Sequence, residues 1–315
     1  MIDQSRSFFI YADTSDAGPD QAARRKMLRA SLNDVGNVLY FDSNCSIHQY
    51  HLIVKDQLQM VDAFLNSLTP VFSDHPGKYF ASVAKIANYW RERVGSFIDV
   101  WESMFGVTAD VNYRRYPLQV VAGRWGSIDA AEEFYLARGK ARLKPVLLAL
   151  LSSAMKATKQ RGNDSKDALL DDLDEREAYR IKMSKYTSGA CGAVQSDLFW
   201  VLLRVLHTAR GPLRHFFLWC QKYSQQRPLL RLVTGVADLI MDEFTDLYNT
   251  FDSWFKDACV EANADLPEEV ANLLRGLCVK IIVTSAGSFE LRIRSLTKKN
   301  LGLHGSGIES SPSRV

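Results

Sequence analysis

The stretch LLRLVTGVADLIMDEFTDLYNTFDSWFKDACVEA, residues 229–262, decides the fold class. Its apolar side chains Val233, Val236, Ile240, Phe244, Leu247, Phe251, Trp254 and Ala258 recur at steps of three and four, which lines them along one face of an α-helix. A seam of this kind has to be buried against other elements, so one long helix over 229–262 predicts helical neighbours. The same period supplies them. Val54, Leu58, Val61, Leu65 and Leu68 predict a helix ended by Pro70, and Val83, Ile86, Trp90, Val94, Phe97, Trp101 and Met104 predict a second between His75-Pro76-Gly77 and Gly106. Further helices are expected over 197–209, 212–225 and 267–295.

Breaks in the period set the organisation. Residues 1–44 hold strand-like runs, Phe8 to Tyr11 and Val35 to Phe41, separated by Gly18-Pro19 and a short basic helix near Ala22 to Leu32. Residues 107–126 form a connector, because Tyr113-Arg114-Arg115-Tyr116-Pro117 cannot continue a helix. Ser127 suits the cap of a new helix, with Asp129 and Glu132 near its positive end and Lys140, Arg142 and Lys144 beyond its middle. Pro145 then fits the first turn of the next helix, over 146–159. The expected architecture is mainly α: an irregular helical bundle with a small strand-containing N-terminal segment over 1–44, a helical domain over 45–158, a charged helix or linker over 159–190 that marks the domain boundary, a C-terminal bundle over 191–298 and a disordered tail over 299–315.

Apolar residues make up 47% of the chain and charged residues 24%, values that suit a soluble globular protein rather than a disordered or membrane-embedded one. The apolar patch from Phe8 to Ala12 is too short for a signal peptide or a membrane span, so no membrane partner is expected. Cys45, Cys191, Cys220, Cys259 and Cys278 are odd in number and widely spread, which argues for reduced thiols and a nuclear or cytoplasmic address. The net charge of +3 hides a segregation. Residues 198–237 contain no acid but carry Arg204, Arg210, Arg214, Lys222, Arg227 and Arg231, whereas 238–269 carry ten acids against Lys256 alone. Two readings follow. The runs attract one another as neighbours in a bundle, or Arg204, Arg210, Arg214 and Lys222, interleaved with Phe199, Trp200, Phe216, Phe217 and Trp219, offer cations to phosphates and rings to bases.

Chemistry-bearing motifs are sparse. Cys45, His48 and His51 share a helical face at C-x2-H-x2-H spacing, but a structural zinc site needs a fourth ligand, and only Asp42 and His75 lie near in sequence. No metal is expected. No nucleophile elbow, H-E-x-x-H, phosphate loop or dinucleotide fingerprint occurs, so neither an enzyme nor a cofactor or small-molecule substrate is expected. Asp171, Asp172, Asp174 and Glu175 alternate with Arg176, Arg180 and Lys182 in the manner of a solvated helix face.

Asn44-Cys45-Ser46-Ile47-His48, followed by Leu52 to Leu58, resembles the segment of hAT-family DNA transposases in which a strand leads to C-x2-H and an apolar helix. Downstream, Arg124-Trp125-Gly126-Ser127 is similar to the family's arginine-tryptophan motif, which opens the next helix of its all-α insertion domain. The resemblance spans about residues 38–136. It departs from the family at Gly123 and Gly126, where Thr and Asn are usual, and Glu290 lacks a convincing version of the family's carboxy-terminal Ser-Glu-Arg motif. The family's RNase H-like sheet binds divalent metal through two Asp and one Glu, and 1–44 is too short for its opening strands, so Asp13, Asp16 and Asp42 inherit no role. The resemblance implies a truncated, element-derived helical protein without catalysis, in which Arg124 and Trp125 retain DNA contact. The alternative is a helical protein-interaction or scaffold module with other protein chains as partners.

Overall fold

In a computed structural model the chain is mainly helical. The structure describes residues 9–15, 23–24, 26–28, 30–31, 38–44, 46–68, 77–107, 113–115, 119–121, 127–164, 188–223 and 230–294. They divide between two compact units, one drawn from Met1–Ile53, Pro212–Asp246 and Thr284–Val315, the other from Val54–Gly211 and Leu247–Val283.

Two strands, β1 (Phe9–Ser15) and β2 (Val38–Asn44), pair in parallel, with Phe9 opposite Val38 and Asn44 opposite Ser15. The helices follow in order: α1 (Ser46–Leu68), α2 (Tyr79–Arg91), α3 (Val94–Phe105), α4 (Ser127–Leu136), α5 (Lys140–Asp164), α6 (Ser188–Gln195), α7 (Asp197–Ala209), α8 (Gly211–Tyr223), α9 (Leu230–Asn249), α10 (Phe251–Glu261) and α11 (Glu268–Phe289), the last running into a π-helical turn, Glu290–Arg294.

The apolar seam of α1 is buried along its length at Val54, Leu58, Val61, Leu65 and Leu68. In the second unit α2 packs on α3 and α4, α4 on α5 and α7, α3 on α5, and α10 on α7. Aromatic rings fill the joints. Trp90 stacks on Phe97 at 3.6 Å and meets Phe134 edge-on at 4.7 Å, and Trp101 lies parallel to Tyr113 at 5.5 Å. In the first unit Tyr50 stacks on Phe217 at 4.5 Å, and Phe289 receives Phe216 edge-on at 5.0 Å and Phe244 at 6.2 Å.

Several expected elements are divided differently. The single helix over 229–262 breaks at Thr250, whose φ of −99° and ψ of 14° end α9 and start α10. Periodicity carries across such a break because three-and-four spacing is kept while the axis changes. The 83–104 helix likewise breaks where Arg93 leaves helical geometry, and Met104 is exposed rather than in the seam. Gly139, at φ 72°, ends the helix begun at Ser127, and α5 then runs through Pro145 instead of starting there. The helices that flank 165–187, α5 and α7, both belong to the second unit, tied by Lys140 and Lys144 to Asp197 at 2.9 and 3.0 Å. The 299–315 tail and the charged residues 165–187 lie outside the described residues. By length and composition Glu268–Arg294 is apolar enough to cross a bilayer, a feature the sequence reading passed over, yet Leu274, Leu277, Cys278, Ile281 and Ile282 are buried within the second unit.

Candidate functional site

The second unit encloses a charged cluster. Arg210 follows the last turn of α7 and is fully buried. Its Nε donates to Oδ1 of Asp129 at 2.8 Å, and its Nη2 donates to Oε2 of Glu132. Both carboxylates stand on α4, three residues apart, on the side that also buries Ile128, Ala131 and Tyr135. The Tyr79 hydroxyl, from the first residue of α2, donates to Oε1 of Glu132 at 2.8 Å, and His207 Nδ1 lies 3.8 Å from Oε2. Arg210 Nη1 finds no hydrogen-bond partner among the described residues.

The electrostatics follow from burial against compensation. Desolvation pushes the Glu132 carboxyl up, but the Arg210 charge and the bonds from His207 and Arg210 outweigh it and hold Glu132 below the usual carboxylate range. Burial first, and then the Glu132 charge, drive the Tyr79 phenol well above its ordinary value. Arg210 itself is held above its usual range: burial opposes its charge, while Glu132 and Asp129 favour it more strongly. Arg210 and Glu132 have no exposed surface, and the cluster ties α2 and α4 to the end of α7.

A pocket of about 250 Å³ opens elsewhere in the second unit, lined by Tyr135, Lys140, Trp200, Arg204 and Glu261 among others. It is smaller than ordinary small-molecule sites. Its polar groups are already engaged: Arg204 with Glu261, Lys140 with Asp197 and the Asn263 carbonyl, Trp200 Nε1 with the Val194 carbonyl.

The sequence-derived residues divide sharply. Arg210, expected to meet DNA, is instead buried, because two carboxylates on α4 make its desolvation tolerable. Arg204 pairs with Glu261 across the α7–α10 contact, one of the attractions expected between the basic and acidic runs; in the first unit His215 Nδ1 lies 2.7 Å from Glu243 Oε2. Arg214 is half-buried on α8. Ser127 is the first residue of α4, and its Oγ accepts the Val121 N–H at 3.0 Å, binding the connector to the helix rather than capping the turn ahead. His48 and His51 are half-buried on α1; Cys45, Arg124 and Trp125 lie outside the described residues. Among the described residues no group of three or more metal-ligating side chains gathers.

The Asp129–Glu132–Arg210 cluster was missed because the two acids read as ordinary helix N-terminal charges. Glu132 lies four residues after Ile128 and three before Tyr135, a position on the apolar face, and that placement was the available signal.

Fold and contacts together define a mainly helical protein whose second unit is pinned by a buried arginine–carboxylate cluster. Comparison with family models, with curated proteins and with solved structures finds no match for this chain.

Proposed function

We propose that the chain is a catalytically inactive, transposable-element-derived helical protein related in plan to hAT-family transposases, and that its remaining activity is contact with DNA. The observation that carries this reading is local. β2 ends at Asn44 and α1 begins at Ser46, the order of strand and then apolar helix that the resemblance implies. The start of α4 at Ser127, two positions after Trp125 in the sequence, supports it further. In this reading Arg124 meets a phosphate and Trp125 stacks on an unpaired base.

A salt series of gel retardation with duplex and hairpin DNA tests it. Binding that weakens steeply with salt, and that Arg124→Ala with Trp125→Ala reduces, is the expected result. No retardation at low salt removes the reading.

A second reading, a helical protein-interaction module, is favoured by the internal use of Arg204 and Arg210, which withdraws two cations from the basic run. Retention of a defined oligomer or complex in size-exclusion chromatography, with no DNA binding, would select it.

A further inference from the structure

We propose that Arg115, with Arg114 beside it, forms a phosphate-contacting surface for nucleic acid, held outward by a buried tyrosine anchor. The inference rests on the DNA-contact reading above and adds a place where the backbone would be met.

The anchor is Tyr113. Its ring is buried and parallel to Trp101, and its hydroxyl donates to Oε1 of Glu102 at 2.5 Å. This fixes the backbone of the connector against α3 and leaves the next two side chains facing solvent. Arg114 lies with its guanidinium carbon 5.7 Å from the Tyr113 ring centre and donates to the same Glu102 oxygen at 2.9 Å, with most of its side chain exposed. Glu102 is therefore used by the Tyr113 hydroxyl and Arg114 together, and both hold it below the usual carboxylate range. Arg115 is exposed, and no ion pair among the described residues involves it.

A further cation stands near. Arg138, nearly buried, packs its guanidinium 3.3 Å from the centre of the Phe134 ring and donates from Nη1 to the Phe134 carbonyl at 2.8 Å. Burial, and after it repulsion from Arg115, bring Arg138 down to about 10. A polyanion lying along Arg114 and Arg115 relieves that repulsion, and a phosphodiester chain supplies the regularly spaced single charges such a surface suits. An exposed arginine next to a buried anchor also loses less backbone freedom on binding than one on a loose loop.

The test is fluorescence anisotropy of a labelled DNA duplex with the full chain over a range of salt concentrations. Arg115→Gln is expected to weaken binding and to lower the slope of log affinity against log salt by about 0.9, the value of one lost phosphate contact, irrespective of sequence. Arg115→Lys is expected to keep the slope, because the contact needs charge rather than a planar fork. Circular dichroism melting of each variant checks that the fold is kept, as exposure of Arg115 requires. Wild-type binding with an unchanged slope in Arg115→Gln overturns this inference alone; no wild-type binding at low salt overturns it together with the reading it rests on.

Discussion

Replacing Arg210 with methionine removes one guanidinium and leaves two carboxylates, Asp129 and Glu132, facing each other in a fully enclosed site. Methionine fills much of the arginine volume, so the loss is electrostatic rather than a cavity. Breaking one partner of a buried ion pair costs about 3–5 kcal/mol, a large share of the roughly 5–15 kcal/mol that holds a domain folded. For a body the size of the second unit, 1 kcal/mol shifts the melting temperature by about 2–4 °C, so a fall of roughly 6–20 °C follows. Circular dichroism at 222 nm and neutral pH reads it. The compensation argument adds a stricter requirement: Arg210→Met combined with Asp129→Asn and Glu132→Gln regains most of the lost stability, because neutral amides need no counter-charge. A shift of under about 2 °C in the single variant, or no recovery in the triple, refutes the claim that charge balance holds α4 to α7.

Acid stability carries the same signature. Glu132 has its folded value below its unfolded one, so its contribution is present above the ordinary glutamate pKa, about 4.3, and is lost as pH falls through the depressed folded value. Melting temperature measured from pH 7 down to pH 2 is expected to drop across that window in the wild type and to drop less in Glu132→Gln, which starts lower. In the first unit, Phe289 is fully buried between Phe216 and Phe244. Phe289→Ala is expected to cost about 3–5 kcal/mol in urea denaturation.

Helix identity was legible wherever spacing alone decided it. The α1 seam from Val54 to Leu68 is read directly from the sequence and is buried throughout. Helix ends were less legible, because Thr250 and Arg93 bend the chain without interrupting the three-and-four pattern, and Gly139 stops a helix through a positive φ that its neighbours do not announce. Charge was legible as a run but not as a set of partners. Arg204 found Glu261 within the expected pairing of basic and acidic segments, while Arg210 found Asp129 and Glu132, about eighty positions earlier in the chain. No local pattern links residues so far apart; only the packing of α4 on α7 brings them together. The outward presentation of Arg115 was hidden for a similar reason, since it depends on Tyr113 burying itself against Trp101.

The sorting of arginines into enclosed and outward-facing sets is most directly measured by phenylglyoxal modification of the native chain, with and without duplex DNA, mapped by peptide mass spectrometry. Arg115 should react readily in the free protein and be protected by DNA, whereas Arg210 should remain unmodified until the fold is melted. Equal reactivity of Arg210 and Arg115 in the folded chain, or no protection of Arg115 by DNA, would contradict the assignment of one to the core and the other to a phosphate.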